Sequence, residues 1–173
     1  MNPLENRSLV GVDEDPAGVR VAFGRFPSGV AALCAEVAGE LCGMVATSFS
    51  VGVSFMPAMV MFSVQDSSTT WPTLRGCDTI GVSVLSRSHS QLARQLSSRD
   101  KGRRFEDLDY EVTRDGAVLI GDAALWLECR IVSETPVGDH HIVVLEVLRL
   151  NVADDAEPLV YHAQRFHGLQ LAS

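Results

Sequence analysis

The chain has 173 residues, 46% of them hydrophobic, which is enough to form one domain with a substantial core. Its 14 basic and 22 acidic residues give a formal net charge of −8, which argues against unassisted binding to nucleic acid or to an anionic membrane surface. No apolar segment approaches membrane-spanning length, which argues against a membrane protein.

Residues 1–16 are polar and contain no apolar core, so the sequence predicts a mobile N-terminal tail rather than a signal peptide. Residues 17–173 are expected to form the folded domain. The four cysteines show no CxxC spacing and lie in apolar surroundings, which indicates buried, reduced thiols rather than a disulfide or zinc framework. These features together predict a cytoplasmic protein.

Further along the chain, apolar runs of strand length outnumber helical patterns. One helix is predicted at 19–26, before Pro27, and two more are predicted at 69–77 and 90–98. Strands are predicted at apolar runs bounded by Gly, Pro, Ser or Asp, namely 30–37, 40–49, 58–65, 79–86, 124–132, 142–152 and 158–166. Many short strands with few helices predict a mainly β fold, a closed or sandwiched barrel rather than a doubly wound sheet.

Familiar catalytic motifs do not occur in the sequence. It lacks a GxGxxG after a strand, a Walker loop, a GxSxG elbow, an HExxH helix and any cysteine–histidine zinc spacing, so no metal site is predicted. Asp139, His140 and one of many serines can be drawn as a hydrolytic triad, but any serine-rich chain permits such a choice. A hydrolase is therefore not favoured.

The stretch GMVATSFSVGVSFMP at 43–57 crowds hydroxyl side chains around Gly52 between apolar strands. Hydroxyls hydrogen-bond without carrying charge, and a glycine lets the backbone approach a planar or phosphorylated ligand. Because Ser, Thr and Gly are also ordinary turn formers, this stretch alone leaves a cofactor loop and a plain turn both open.

A second hydroxyl cluster, DSSTTWP at 66–72, lies at the start of the second predicted helix. Ser68, Thr69 or Thr70 can cap that helix by accepting hydrogen bonds from its first N–H groups. The same exposed N–H groups attract phosphate, so helix capping and anion binding are compatible interpretations.

GDHH at 138–141 places two histidines directly ahead of the apolar strand 142–152. Neighbouring side chains on a strand point to opposite faces, so His140 and His141 cannot easily share one metal or one substrate. At most one of them is expected to face a site.

Six segments, taken in order, resemble the short-chain NAD(P)H:flavin oxidoreductases, which are the reductase components of two-component flavin monooxygenases. The resemblance extends over about 19–169, and its order and spacing are more specific than any single motif. The segments are FPSGVA (26–31), GMVATSFSVGVS (43–54), FSVQDSSTTWPTLR (62–75), GVSVLSRSHSQLARQLSS (81–98), GDHH (138–141) and PLVYHAQRFHGL (158–169).

This resemblance implies an FMN-binding split β-barrel of the Greek-key type that works as a homodimer, with the partner subunit forming part of the site. It implies transfer of hydride from NADH or NADPH to FMN or FAD, with NADH mildly preferred because no basic residue can be assigned to a ribose 2′-phosphate. The reduced flavin would pass to a separate flavin-dependent oxygenase, by diffusion alone if the two proteins do not dock.

The resemblance also implies which residues contact the flavin. It places Thr47, Ser48, Phe49 and Ser50 at the isoalloxazine and ribityl side. Further along the cofactor it places Ser54, Phe62, Ser63, Val64, Ser68 and Thr69. Near the phosphate end it places Ser83 and Ser86, with Arg103, Arg104 and Phe105 of the segment KGRRF. A solvated basic turn is an equal alternative for that segment.

The nicotinamide nucleotide would meet His140 of GDHH, with His141 turned to the other side of the strand. Neutral His140 is expected to donate a hydrogen bond that positions the nucleotide, not to act as an acid. Tyr161 would lie beside the nicotinamide pocket, although a packing role at a dimer interface explains it equally well.

Two other functions stay open at the level of sequence. A non-catalytic split-barrel flavoprotein would hold flavin tightly as an electron-transfer or sensing module, and a purely structural barrel would bind no ligand. The nicotinamide contact implied for GDHH favours the reductase, because a flavin carrier does not need it.

Overall fold

The structure is a computed structural model that describes residues 9–169. Its α-helices are α1 (Pro16–Phe23), α2 (Trp71–Leu74) and α3 (Ser90–Leu96), with short 3₁₀ helices at Arg87–His89 and Lys101–Arg103. Its strands are β1 (Ser28–Gly29), β2 (Ala31–Val37), β3 (Glu40–Ala46), β4 (Ser50–Phe55), β5 (Ala58–Gln65), β6 (Ile80–Val84), β7 (Tyr110–Val112), β8 (Val118–Ile120), β9 (Leu125–Val137), β10 (His140–Val152), β11 (Leu159–His162) and β12 (Arg165–Gly168).

Seven strands form one antiparallel sheet in the order β3-β2-β6-β9-β10-β5-β4. Three hairpins, β2–β3, β4–β5 and β9–β10, supply most of the pairing between sequence neighbours. The other strands form a three-stranded sheet, β1-β11-β12, and a two-stranded sheet, β7-β8. The predicted mainly β fold is confirmed.

The large sheet curls until its two ends meet. Ser48 follows edge strand β3, and its hydroxyl donates to the carbonyl of Ser63 in β5 at 2.9 Å. The same hydroxyl accepts a hydrogen bond from the Ser63 N–H at 3.0 Å. Since β5 is the strand next to the opposite edge, this pair closes the sheet on one side, as expected of a split barrel.

Strand β2 is buried on both faces, which explains why its sequence reads as a continuous apolar run. Ala31 and Leu33 point into the larger core inside the barrel, with Phe62 and Leu145 from other strands. Ala32 and its alternate neighbours point into a second core, which is covered by α3 and the smaller sheets. The alternation of side chains along a strand therefore supplies both cores.

The described residues differ from the sequence prediction at both ends of the chain. Helix α1 begins at Pro16, where the Asp15 carboxylate caps it by accepting from the Gly18 N–H at 2.8 Å. Half of the tail predicted at 1–16, namely residues 1–8, lies outside the described residues, and its mobility stays a prediction. At the other end, 158–166 is not one strand but a hairpin that turns at Ala163 and Gln164.

Candidate active site

Two adjoining grooves lie where the barrel closes. The wide groove has a volume of about 880 Å³ and the narrow groove about 390 Å³, within the range of about 300–1,000 Å³ that is usual for small-molecule sites. Both grooves are lined by Thr47 and Ser48, which form a shared wall between them. A ligand on this wall is therefore accessible from both grooves.

The shared wall is held in place from two sides. Ser48 is fixed to Ser63 by the reciprocal hydrogen bonds described above. Phe49 packs its ring against the larger core and so anchors the loop between β3 and β4. Among residues 9–169, no protein group hydrogen-bonds the half-buried hydroxyl of Thr47, which leaves it available to a ligand.

The wide groove has an aromatic rim. Phe23 and Phe26 at the end of α1 are each 77% exposed, which is unusual for large apolar side chains. Ser50 and Tyr161 also line this groove, and Tyr161 packs against Phe166 with ring centroids 5.5 Å apart. Exposed aromatic faces beside hydroxyl groups suit a flat ligand with a polar edge.

The narrow groove is lined by hydroxyl, amide and imidazole groups. Ser63, Val64 and Gln65 of β5 form one side, and Ser67 and Ser68 follow them. The Ser68 hydroxyl accepts a hydrogen bond from the Trp71 N–H at 3.1 Å, so it satisfies one of the first N–H groups of α2, whereas the N-cap residue Thr70 makes no side-chain capping bond. His140 completes the lining of this groove.

The GDHH segment forms the tight turn between β9 and β10. Gly138 has φ of 63° at the first turn position, a conformation that glycine adopts without the steric cost that other residues meet. His140 opens β10 and faces the narrow groove, whereas the Nδ1 of His141 lies 2.9 Å from the Asp66 carboxylate. The two histidines therefore have different surroundings, and only His140 lines a groove.

Asp139 decides which nitrogen of His140 carries the proton. The Nδ1 of His140 lies 2.7 Å from Oδ1 of Asp139, and this hydrogen bond holds the pKa of Asp139 below its usual value. An ionised carboxylate only accepts, so Nδ1–H must donate to it. In the neutral ring Nε2 is then an acceptor. A neutral His140 in this tautomer would therefore accept a hydrogen bond from a ligand through Nε2, whereas the sequence led us to expect it to donate one.

Two residues predicted to contact flavin are buried instead. Phe62 is 1% exposed and packs edge-on against Trp71, with ring centroids 5.3 Å apart. Ser83 is fully buried, and its hydroxyl accepts a hydrogen bond from the Ile120 N–H at 2.9 Å. Neither side chain lines a groove, because both point into the core of the barrel wall.

The basic segment KGRRF is mostly structural. The buried guanidinium of Arg104 donates to the carbonyls of Ser98 and Gly43 and to the hydroxyl of Thr70, at 2.6–2.9 Å. Arg103 is exposed and pairs with Glu106 at 3.0 Å. Phe105 packs against the second core. None of these three residues lines the wide or the narrow groove.

Lys101 is the member of that segment that comes near the narrow groove. Its Nζ donates to the carbonyl of Thr69 at 2.6 Å, one residue beyond Ser68 in the groove lining. The remaining predicted residues lie outside both grooves: Ser54 is half-buried on β4, the side chain of Thr69 is exposed, and Ser86 is buried and bonded to His89.

The structure thus brings nine of the predicted residues to the two grooves: Thr47, Ser48, Phe49, Ser50, Ser63, Val64, Ser68, His140 and Tyr161. Sequence reasoning missed Arg20, Phe23, Phe26 and Gln164, which also line the wide groove. The segment FPSGVA (26–31) contributed to the family resemblance, but none of its side chains was assigned a role from the sequence. A helix bearing exposed aromatic residues next to that segment was the available signal.

A closed antiparallel barrel with joined, hydroxyl-lined grooves defines a split-barrel protein with room for flat cofactors. The family model described as the flavin reductase like domain matches residues 23–170, and the chain belongs to this family. The family predicted from the sequence is therefore confirmed.

Individual relatives agree with this family. A protein of Agrobacterium fabrum named FMN reductase (NADH) SmoA is 32% identical over 88% of this chain and 86% of its own length. The reductase component of 4-hydroxyphenylacetate 3-monooxygenase from Thermus thermophilus is 31% identical over 86% of this chain and 93% of its own. The solved structure of NADH:FAD oxidoreductase SgcE6 from Streptomyces globisporus, in complex with NAD and FAD fragments, has a TM-score of 0.86 at 30% identity. That alignment covers 96% of this chain and 98% of SgcE6.

Proposed function

We propose that this chain transfers hydride from a reduced nicotinamide nucleotide to FMN or FAD and releases the reduced flavin to a separate oxygenase. The sequence prediction of a nicotinamide-dependent flavin oxidoreductase is confirmed by the family and by the relatives described above. The observation that supports the mechanism is the wall of Thr47 and Ser48 between two grooves, with His140 on one side of it.

The residues present fit a flavin and a nicotinamide nucleotide. We assign the shared wall, with Phe49 and Ser50, to the flavin ring, because hydroxyls and backbone N–H groups can satisfy its polar edge without adding charge. Ser63 and Ser68 would line the path of its side chain toward Lys101. The rest of the wide groove and His140 would receive the nicotinamide nucleotide.

The two bound cofactors supply the hydride donor and acceptor, so no side chain has to act as nucleophile. The protein's task is to hold two flat rings within about 3–3.5 Å of each other and to keep water away from them. Phe23, Phe26 and Tyr161 surround the wide groove with apolar surface suited to that exclusion. Nε2 of His140, left as an acceptor by the Asp139 contact, would accept a hydrogen bond from the carboxamide of the nucleotide and so orient it.

Association into a homodimer is part of this proposal. Among residues 9–169, strand β4 lies at the edge of the sheet and pairs only with β5, and it exposes Val51, Val53 and Phe55. Edge strands with large exposed apolar residues are normally covered by another chain. Because Ser50 and Val51 also line the wide groove, a partner on β4 would complete the site.

We also propose a reducing compartment, the cytoplasm, as the location. All four cysteines are free thiols, and burial raises the pKa of Cys34 and Cys129, which disfavours their reactive thiolate forms. None of the helices within residues 9–169 is long and apolar enough to cross a membrane.

Steady-state kinetics with the four combinations of NADH or NADPH and FMN or FAD test the proposal. Purified protein at a small fraction of the flavin concentration should bleach flavin absorbance over many turnovers under anaerobic conditions. A single stoichiometric bleach would instead indicate a flavin-holding module that does not turn over. No absorbance change with any combination would contradict both functions.

A further inference from the structure

Arg20 lies on the face of α1 that borders the wide groove. Residues 20, 23 and 24 follow one another at the three- and four-residue spacing of a single helix face, and all three line the groove. The guanidinium of Arg20 is therefore next to the aromatic rim, in the groove assigned to the nicotinamide nucleotide.

Several other arginines are already engaged by acidic side chains. Arg75 pairs with Glu134, Arg130 pairs with Glu146, and Arg149 pairs with the buried Glu128. Within residues 9–169, Arg20 forms no such ion pair and remains exposed at the groove. A guanidinium in this position has all five of its donors available to an anion.

Arg20 also lies toward the GDHH turn. The pKa of Asp139 is lowered mainly by its hydrogen bond to His140, and Arg20 adds a smaller effect through space. The carboxylate of Asp139 is occupied by His140 at 2.7 Å and does not contact Arg20 directly. Arg20 therefore adds positive potential at the GDHH turn, while its side chain lines the wide groove.

We propose that Arg20 binds the pyrophosphate of the nicotinamide nucleotide while His140 holds the carboxamide end. A planar guanidinium forms paired, charge-assisted hydrogen bonds with phosphate oxygens, which a lysine cannot reproduce. The chain carries a net charge of −8, so an anionic substrate needs a local cation of this kind. This assignment depends on the proposed flavin reductase activity.

The flavin phosphate is a less suitable ligand for Arg20. The side chain of flavin is assigned to the narrow groove, which ends near Ser68 and Lys101. Arg20 borders the wide groove and does not line the narrow one. The two cations therefore serve different anionic groups, and their variants should affect different ligands.

Arg20→Ala and Arg25→Ala form a matched pair for the test. Arg25 is exposed, lies five positions further along, and lines neither groove, so its removal changes the net charge equally. We expect Arg20→Ala to raise the KM for NADH about 10-fold or more, with Arg25→Ala within about 2-fold of wild type. Titration with FMN, followed by flavin fluorescence, should give unchanged affinity for both variants.

ADP-ribose serves as a direct probe, because it carries the pyrophosphate and lacks nicotinamide. Calorimetric titration of the flavin-loaded protein should show binding to wild type, partial loss in Arg20→Lys and near-complete loss in Arg20→Ala. Equal ADP-ribose affinity in Arg20→Ala and Arg25→Ala, or no binding to wild type, would overturn the assignment. If wild type reduces no flavin the proposed function fails, whereas active wild type with an unchanged KM in Arg20→Ala refutes only the role of Arg20.

Discussion

At the scale of single residues, Asp139 controls the tautomer of His140 and so, in the proposed mechanism, how His140 meets the substrate. Its carboxylate lies 2.7 Å from Nδ1 and keeps the proton there, which leaves Nε2 as the acceptor that we propose for the nicotinamide carboxamide. His140→Ala should raise the KM for NADH about 2- to 13-fold, because one hydrogen bond contributes about 0.5–1.5 kcal/mol, while the affinity for flavin is kept.

The partnership of these two residues can be measured by a double-mutant cycle. Asp139→Ala frees the ring to rotate and to change tautomer, so it should raise the KM for NADH with little change in kcat. Because Asp139 acts through His140, the double variant should be no worse than His140→Ala alone. Fully additive effects in steady-state kinetics would show that Asp139 acts independently.

Arg104 is predicted to matter for stability rather than for flavin binding. Its burial with hydrogen bonds to Ser98, Gly43 and Thr70 means that removal leaves several buried acceptors unpaired. Arg104→Ala should lower the free energy of unfolding by about 2–3 kcal/mol in urea denaturation. The neighbouring Arg103→Ala breaks only an exposed pair and should cost less than about 1 kcal/mol.

At the scale of elements, the apolar runs of the sequence predicted most strands, because a buried strand needs apolar side chains and so appears in the sequence as a short apolar run. The β11–β12 hairpin escaped prediction because Ala163 and Gln164 take φ of 49° and 62°, a left-handed conformation that their residue types rarely adopt. The turn is imposed from outside, since the Ala163 N–H donates to the Gly24 carbonyl at 2.7 Å. A contact so distant in sequence leaves no local pattern.

The candidate site was likewise predictable where a local pattern marks it and not where packing between distant segments decides it. Hydroxyl-rich strand ends such as Thr47 and Ser48 are visible in the sequence, and the family resemblance located them. Whether a hydroxyl or a guanidinium faces a groove or the core depends on how β6 and the Lys101–Arg103 helix pack. The sequence does not show that packing, and for this reason Ser83 and Arg104 were assigned to flavin although both are buried. Arg20 was missed because it is the only charged residue of α1, and a single exposed arginine on a helix ordinarily faces solvent.

The short 3₁₀ helix Arg87–His89 should make folding stability sensitive to pH. Burial lowers the pKa of His89, with Asp122 partly opposing that effect, and the Ser86 N–H donates to Nδ1 at 3.2 Å. The unfolded chain takes up a proton near pH 6.5, where folded His89 stays neutral. The stabilisation is therefore complete above that pH and is lost as the pH falls through the lowered pKa.

Urea denaturation at several pH values between about 8 and 5 tests this sign. The free energy of unfolding should decrease toward pH 5 in wild type and decrease less steeply in His89→Gln. His167→Gln, at an exposed position on β12, is the matched control and should retain the wild-type slope. A slope that is unaffected by His89→Gln would assign the pH dependence to other groups.

At the scale of the whole molecule, the exposed apolar surface predicts a dimer that is needed for activity. Phe55 is 87% exposed on edge strand β4, and Phe55→Glu places a charge where the partner would pack. Sedimentation should show a dimer for wild type and a monomer for Phe55→Glu, with weakened flavin binding. Val112→Glu on β7 is the control and should stay dimeric, and a monomeric, fully active wild type would contradict the prediction.

The hydroxyl of Ser48 joins the two ends of the barrel through a pair of neutral hydrogen bonds to the Ser63 backbone. Neutral contacts are not screened by dissolved ions, and no group in this pair titrates near physiological pH. In the proposed site, the wall that separates the flavin from its electron donor would therefore be held by hydrogen bonds that do not depend on ionic strength. Substrate capture through charged groups can weaken in concentrated salt while the alignment of the two rings stays constant.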